Sequence, residues 1–277
     1  KAIKLMYNTS LDKLTDYPFD RLRALLKDVK GPIKKLPIIM SLGEPQHPPP
    51  GLLAEAVNKN AGLWAKYPPT TGTPDMLNAI KNWLIGRYGL DADAISTEKN
   101  IIAVSGTREA LYMAGAISIP PQKHKQQPIV LIPNPFYQVY IGSALMNQAK
   151  PVYMPATAEN GFLPDFHSLD EETLTRTALA FLCSPSNPQG AVADLEYLKK
   201  AVLLARKYDF VLAIDECYAE IYDATQPPGG LEACKALGRG YQNVLVFHSL
   251  SKRSSAPGLR SGFVAGDQNL IEKFKTL

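Results

Sequence analysis

The sequence is poor in cysteine and in histidine, with 3 cysteines and 4 histidines in 277 residues. Cys183, Cys217 and Cys234 form no Cys-x-x-Cys pair and are odd in number, which argues against a disulfide framework. Free thiols in a reducing cytoplasm are the simplest interpretation. The histidines are scattered and lack the spacing of metal ligands, so no metal site is predicted.

Long apolar runs are also missing. No run approaches the ~20 residues of a membrane-spanning helix, and residues 1–7 lack the apolar core and cleavage site of a signal peptide. The net charge of +4 is small and scattered, which argues against binding to nucleic acid. With 45% hydrophobic and 20% charged residues, the composition is that of a soluble globular protein. Neither a membrane nor a nucleic acid is therefore an expected partner.

From residue 100 onward, short apolar runs alternate with turns and with helical patterns. Helices are predicted between the apolar runs, with a last one from residue 270, and Thr73 and Asp194 are suited to cap two of the chain's helices. This alternation predicts an α/β fold with a mostly parallel sheet. The predicted strands are residues 101–104, 129–132, 151–154, 178–183, 210–214, 244–247 and 262–266.

The first 40 residues are predicted to form an amino-terminal arm, before a large domain at 41–277. Apolar residues at helical spacing predict a helix near residues 19–29, with Gly31, Pro32 and Pro37 as breakers after it. Residues 41–50 are rich in proline and are predicted to be extended. Gly43 in this loop could let a ligand approach the backbone, although an ordinary turn glycine is the commoner meaning.

One lysine, Lys252, lies just past the apolar run 244–247. Ser249, Ser251 and Arg260 surround it in the sequence and offer hydroxyl and guanidinium donors that suit a phosphate. Ligands of open α/β sheets bind beyond the carboxyl ends of the strands, where a lysine can act as a nucleophile. A lysine beside a phosphate site suggests pyridoxal phosphate held as a Schiff base. A basic surface loop explains this stretch equally well.

Other polar residues follow the predicted strands in the same way. The turn at residues 105–107 leads into a helix, and such a turn suits a phosphate but also caps helices that bind nothing. Tyr137 could stack on a planar ligand or pack in the core, and Asn187 offers a neutral donor. Asp215 ends a buried strand, which is costly unless the carboxylate has a positive partner such as a protonated pyridine nitrogen. Tyr67 could be no more than a packed loop aromatic.

The order of these motifs is more specific than any one of them. Gly-Thr, Tyr, Asn-Pro-x-Gly, Asp-x-x-Tyr and Ser-x-Ser-Lys follow one another, with an arginine 8 residues after the lysine. This order resembles the fold-type I pyridoxal phosphate enzymes, specifically the class I and II aminotransferases, over essentially the whole chain. The resemblance implies a three-layer α/β/α large domain with a mostly parallel seven-stranded sheet.

The resemblance also implies a role for each motif residue. Lys252 would bind the cofactor covalently and move a proton at the substrate, while Asp215 would pair with the ring nitrogen. Asn187 and Tyr218 would hydrogen-bond the ring oxygen, and Tyr137 would stack on the ring. Tyr67 would reach the phosphate of a partner subunit in a homodimer, and Gly43 and Asn187 would contact the substrate. The phosphate would be held by Ser105, Gly106, Thr107, Ser249, Ser251 and Arg260.

Within that family, three stretches are similar to those of the N-succinyldiaminopimelate aminotransferases of lysine biosynthesis: residues 41–48, 133–138 and 249–254. This similarity implies exchange of an amino group between N-succinyl-LL-2,6-diaminopimelate and 2-oxoglutarate, with Arg253 available for an acidic substrate. Aminotransferases of aspartate, alanine or aromatic donors, a carbon–sulfur β-lyase and a non-catalytic remnant that binds only cofactor or a partner remain alternatives.

Members of the family continue into a small C-terminal domain that carries the arginine for the substrate α-carboxylate. The sequence given ends at Leu277, so no residue is assigned to that role. A chain ending there is expected to lack the small domain, to bind the cofactor and to transaminate poorly.

Overall fold

A computed structural model of the protein describes residues 7–32, 34–36, 38 and 40–277, so the segment 1–6 and the predicted breaker Pro37 lie outside the described residues. The chain divides into two compact units, Lys1–Glu44 and Pro45–Leu277. The first contains a 3-10 helix, Thr9–Lys13, and the helix α1, Pro18–Leu26. Pro18 occupies the first turn of α1, where the missing N–H costs nothing. The helix predicted near residues 19–29 therefore exists, but it ends earlier, at Leu26.

The second unit begins with helices and continues into a sheet. Helix α2 spans Gly51–Lys59, a 3-10 helix spans Ala61–Ala65, and α3 spans Pro74–Tyr88. The Thr73 hydroxyl accepts a hydrogen bond from the Met76 N–H, which confirms the predicted cap. Helix α3 ends at Tyr88 and is followed by Gly89, whose φ of 59° is the left-handed conformation common at helix ends.

A seven-stranded sheet forms the centre of this unit, and every predicted strand is found, most of them extended by one or two residues. The order across the sheet is β1-β7-β6-β5-β4-β2-β3. Strand β7 pairs antiparallel with both neighbours, and the other pairings are parallel, so the predicted α/β fold with a mostly parallel sheet is confirmed. The strands are β1 Ile101–Val104, β2 Ile129–Asn134, β3 Lys150–Pro155, β4 Thr177–Cys183, β5 Val211–Asp215, β6 Val244–Ser249 and β7 Gly262–Gly266.

Helices connect the strands and cover both faces of the sheet. Asp194 caps one of them as predicted, and Asp267 caps the last, which begins two residues before residue 270. The helices are α4 Thr107–Ser118, α5 Val139–Met146, α6 Glu171–Arg176, α7 Leu195–Tyr208, α8 Gly230–Leu237, α9 Leu250–Arg253 and α10 Gln268–Thr276. Among the residues described, no helix is both long enough and apolar enough to cross a bilayer.

Two apolar clusters lie on opposite faces of the sheet. Successive side chains of a strand point to opposite faces, so Val246 belongs to one cluster and Phe247 to the other. Helices α3, α7 and α8 supply the first cluster, and α4, α5 and α10 supply the second. This gives three layers, helix on sheet on helix. Because β2, β4, β5 and β6 run parallel, the loops that follow them meet at one edge of the sheet.

Candidate active site

Asp215 ends β5 at this edge and is nearly completely buried, with 5% of its surface exposed. Oδ2 accepts a hydrogen bond of 2.8 Å from the Tyr140 hydroxyl, and Oδ1 accepts one of 3.2 Å from the Cys217 N–H. Burial raises the pKa of the Asp215 carboxyl, and these donors lower it in part. Among the described residues, the ion pairs do not include Asp215. The carboxylate is thus buried without a salt-bridge partner from the described chain.

Tyr140 is a site residue that the sequence interpretation missed. It lies on α5, is 1% exposed, and stacks on Phe181 with ring centroids 4.4 Å apart and planes at 11°. Tyr137, the predicted stacking residue, lies three residues earlier, just before α5, and contacts Tyr140 edge to face at 5.9 Å.

Lys252 lies in the short helix α9, directly after β6. Its Nζ is 5.8 Å from the centroid of the Tyr218 ring, so the predicted lysine and the predicted tyrosine are neighbours. Burial, followed by the charge of Asp215, raises the pKa of the Tyr218 hydroxyl, which therefore stays protonated and able to donate.

The two serines before the lysine are coupled to each other. Ser249 caps α9, and its hydroxyl donates to the Ser251 hydroxyl at 2.8 Å and accepts from the Ser251 N–H at 3.1 Å. Arg260 follows in a left-handed conformation, with φ 50°, and pairs with Glu109 at 3.1 Å. Both Arg260 and Glu109 are about half-exposed, so this ion pair contributes little stability but sets where the guanidinium lies.

At Gly106, two groups that were predicted to bind a phosphate come together: the turn at residues 105–107 and Arg260. It lies between Ser105 and Thr107 as the N-cap of α4, with φ 102°. A Cβ at this position would lie 2.3 Å from Nη2 of Arg260, so only glycine lets the guanidinium approach so closely. The first turn of α4 has backbone N–H groups that suit an anion, and Arg260 adds positive charge beside them.

The loop that contains Asn187 is tied to the same edge. It follows β4, the neighbour of β5, and the Ser184 N–H donates to the carbonyl oxygen of Asp215 at 3.1 Å. Asn187 is half-buried there and precedes a cis proline, Pro188. The structure therefore brings the predicted motifs that follow strands together at one edge of the sheet. Tyr67, which follows no strand, is not part of this group.

For three residues, the structure either differs from the predicted role or leaves that role a prediction. Tyr67 is fully exposed, at 102%, and its contact with a partner subunit stays a prediction. Gly43 belongs to the other compact unit, and its role with the substrate stays a prediction. The Arg253 guanidinium lies over the Trp83 ring at 4.2 Å, and burial lowers the pKa of Arg253. Arg253 therefore packs against α3, which the sequence interpretation did not foresee.

A second buried polar group, Glu216, lies beside Asp215 and was also missed. Its carboxylate accepts hydrogen bonds from the Tyr88 hydroxyl at 2.8 Å and from the Gly230 N–H at 2.7 Å. His248 Nε2 lies 2.7 Å from Oε2 of Glu216, off the axis of a hydrogen bond. The Glu216 N–H also donates to the carbonyl oxygen of Phe247. These contacts fasten together the ends of β5 and β6, which carry Asp215 and lead to Lys252.

The three-layer α/β/α fold, with a lysine, a buried carboxylate and a glycine turn before a helix at one edge of its sheet, is that of the fold-type I pyridoxal phosphate enzymes. The sequence matches the family model of the class I and II aminotransferases over residues 37–277, and the chain belongs to that family.

Relatives with solved structures have the same fold. An aminotransferase from Neisseria meningitidis is 41% identical, with a TM-score of 0.89, over 98% of this chain and 68% of that one. A probable N-succinyldiaminopimelate aminotransferase from Thermus thermophilus is 26% identical, with a TM-score of 0.73, over 85% of this chain and 61% of that one.

An LL-diaminopimelate aminotransferase from Desulforudis audaxviator is 32% identical over 262 residues. The match covers 94% of this chain and 64% of the relative, so the chain spans less than two thirds of that relative's length.

Members of this family depend on pyridoxal phosphate, and the described residues fit that cofactor. Asp215 is a buried carboxylate outside the described ion pairs, which suits a protonated ring nitrogen. The close approach of Gly106 to Arg260 places a helix N-terminus beside a guanidinium, which suits the cofactor phosphate.

Proposed function

We propose that the protein is a pyridoxal phosphate-dependent aminotransferase of diaminopimelate biosynthesis. The observation that carries this proposal is the buried Asp215 carboxylate on the strand next to the one that leads to Lys252. A carboxylate in this position costs free energy unless a cation reaches it, and a protonated pyridine ring is a cation of suitable shape. The family match and the diaminopimelate aminotransferase relatives support the same reaction class.

In this proposal each residue of the site has a separate chemical role. Bound pyridoxal phosphate supplies an aldehyde that captures amines and a ring that withdraws electrons from the substrate Cα. Asp215 keeps the proton on the ring nitrogen, and Lys252 holds the cofactor covalently and then moves a proton at the substrate Cα. Asn187 and Tyr218 donate to the ring oxygen, and Tyr137 lies against the ring.

The remaining residues of the proposed site hold the phosphate and fix its direction. Ser249, Ser251 and Arg260 donate to it, together with the turn at residues 105–107. Fixing the cofactor in this way lets Lys252 work from one defined position, and such orientation supplies much of an enzyme's rate.

For the substrate, we propose N-succinyl-LL-2,6-diaminopimelate with 2-oxoglutarate as acceptor. The stretches 41–48, 133–138 and 249–254 support the succinylated donor, as does the similarity to the Thermus relative. The names of the curated relatives support unmodified LL-diaminopimelate instead. Comparing kcat/KM for both donors with that for aspartate, alanine and an aromatic donor decides between them, because kcat/KM measures discrimination between substrates.

The outcomes of that assay are distinct. We expect the succinylated donor to give the highest kcat/KM, with glutamate as the second product. A higher kcat/KM for LL-diaminopimelate would replace the proposed donor but keep the proposed pathway. A higher kcat/KM for a simple amino acid would contradict the proposed pathway. Release of pyruvate and ammonia from a β-substituted donor would indicate a β-lyase.

We further propose a cytoplasmic homodimer with an arm at residues 1–40 and a large domain at 41–277. The full exposure of Tyr67 leaves its ring available to a partner subunit's phosphate. Sedimentation of the native protein tests the dimer, and cofactor affinity of Tyr67→Phe tests the contact.

A further inference from the structure

Lys252 lies in a helix that is too short to be stable by its own hydrogen bonds. Helix α9 has four residues, and none of them is fully buried. Forming a first helical turn is unfavourable, so a single turn persists only where its surroundings fix it. The Ser249 cap fixes the amino end of α9, and the Ser254 N–H donates to the Leu250 carbonyl oxygen at 3.1 Å. The position of Lys252 therefore depends on the contacts that the rest of this turn makes.

Arg253, the residue after Lys252, contacts the indole ring of Trp83 on α3. The guanidinium carbon lies 4.2 Å from the centroid of that ring, within the distance of a cation–π contact. Both residues are half-buried, and partial removal from water makes such a contact stronger than at an exposed site. Among the residues that the structure describes, the ion pairs do not include Arg253, so no carboxylate in this part of the chain pairs with it instead.

The Trp83 ring is itself fixed by strands β6 and β7. It contacts the His248 ring at 5.1 Å and the Phe263 ring at 6.0 Å, with interplanar angles of 74° and 69°. His248 and Phe263 are both buried, and His248 belongs to β6, the strand that leads to Lys252. The indole ring therefore connects the end of α9 to the strand from which α9 starts.

We propose that Trp83 and Arg253 are positioning residues, which hold α9 so that the Lys252 amino group meets the aldehyde of the cofactor. In that step the neutral amine of Lys252 forms a carbon–nitrogen double bond, and the aldehyde oxygen leaves as water with the two amine protons. This inference rests on the proposed pyridoxal phosphate site but not on the substrate. Neither Trp83 nor Arg253 contacts the cofactor in this proposal.

The test measures the affinity of cofactor-free protein for two probes by calorimetric titration. Pyridoxal phosphate has the aldehyde that Lys252 captures, whereas pyridoxine phosphate has an alcohol in its place and cannot be captured. Arg253→Met removes the charge and keeps a long apolar side chain on the ring. We expect it to raise the Kd for pyridoxal phosphate by about three- to tenfold, the range of one half-buried cation–π contact. The Kd for pyridoxine phosphate should change by less than about twofold.

Trp83→Leu separates the position of α9 from the charge of Arg253, because it removes the ring and leaves the charge in place. It should weaken pyridoxal phosphate binding as Arg253→Met does, and Arg253→Met should have little further effect in the Trp83→Leu background. The conservative variants Trp83→Phe and Arg253→Lys should keep most of the affinity, because each keeps a cation over a ring.

Lys207→Met is the matched control for Arg253→Met. The Lys207 ammonium lies 4.7 Å from the centroid of the Tyr208 ring on α7, and neither residue belongs to the proposed site. Both Kd values should stay unchanged in this variant.

Three results would each overturn the inference: equal losses for the two probes, an unchanged Kd for pyridoxal phosphate in Arg253→Met, or additive effects of Trp83→Leu and Arg253→Met. An unchanged Kd together with a raised KM for acidic donors would assign Arg253 to the substrate instead. Failure of the proposed function gives a different result. Binding of pyridoxal phosphate without transamination by the unaltered protein would contradict the activity and leave the roles of Trp83 and Arg253 standing, whereas no binding would contradict both.

Discussion

Tyr140 donates a hydrogen bond of 2.8 Å to Asp215 from a helix that is 75 residues away in the sequence. Both residues are buried, and the Tyr140 ring is fixed by its stack on Phe181. The bond therefore supports the ionised form of the one carboxylate on which the proposed chemistry depends.

The first prediction concerns Tyr140→Phe. This change removes a donor from a buried carboxylate and should cost about 1–3 kcal/mol of stability. Because the Tyr140 hydroxyl lowers the Asp215 pKa, its loss raises that pKa, so activity should be lost at a higher pH on the acid side. The measurement is the pH profile of kcat/KM, with the melting temperature recorded for the same protein.

Tyr197→Phe is the matched control for Tyr140→Phe. The Tyr197 hydroxyl donates to the carbonyl oxygen of Pro164, and neither residue belongs to the proposed site. Its loss should lower the melting temperature without moving the pH profile. Identical pH profiles for both variants would contradict the role of Tyr140.

The second prediction concerns Asp215→Asn. Burial raises the Asp215 pKa, so the folded protein releases this proton at a higher pH than the unfolded chain does. The Asp215 contribution to the stability of the cofactor-free protein is therefore lost as the pH rises from the pKa of this carboxyl in the unfolded chain through its pKa in the folded protein. The contribution is least favourable above both pKa values.

An amide cannot ionise, so Asp215→Asn should raise the melting temperature of cofactor-free protein at pH 7, by roughly 2–4 °C for each 1 kcal/mol. The same variant should transaminate far more slowly, because nothing then holds the ring proton. The rise in stability should disappear at acidic pH, below the pKa of the unfolded carboxyl. A cofactor-free variant that melts at a lower temperature than the unaltered protein at pH 7 would contradict this account of the carboxylate.

The third prediction is that Lys252 carries the cofactor. Borohydride reduction and peptide mapping should find the pyridoxyl group on Lys252, and Lys252→Ala should abolish the visible absorbance of the bound cofactor. Lys123 is the informative alternative, because it is partly buried and this burial lowers its pKa. Its amino group instead donates to backbone carbonyl oxygens, including those of Tyr208 and Asp209. Label on Lys123 would contradict the assignment.

The fourth prediction concerns Gly106→Ala. The new Cβ would lie 2.3 Å from Arg260 Nη2 at a φ of 102°, which disfavours any side chain. We expect a loss of about 1–3 kcal/mol in stability and weaker binding of pyridoxal phosphate, since Arg260 must move. Gly86→Ala is the control: no heavy atom lies within 4 Å of its new Cβ, and it lies within α3, so it should stabilise by about 0.5–1 kcal/mol. Calorimetry and cofactor titration of both variants provide the comparison, and unchanged cofactor affinity in Gly106→Ala would contradict the proposed phosphate turn.

Local sequence patterns were sufficient for the strands and for several helices, although α2 at Gly51–Lys59 was not predicted. The cap at Thr73 and the left-handed Gly89 depend on neighbours within one helical turn, so both follow from short stretches of sequence. The strands were recognised because buried parallel strands are nearly continuous apolar runs. The helix predicted to reach Val29 ends at Leu26, since apolar spacing does not fix a helix end.

By itself, the sequence therefore determined the seven strands, the polar motifs that follow five of them, and the resemblance that names the family. Only the tertiary structure decided which side chains touch across the sheet edge: Tyr140 with Asp215, Gly106 with Arg260, Cys217 with Thr107, and Glu216 with Tyr88. These partners are far apart in the chain, and their contacts depend on strand order and on how each helix packs. A pattern that repeats every two or four residues carries information about one element's faces, and none about which distant residue will lie opposite.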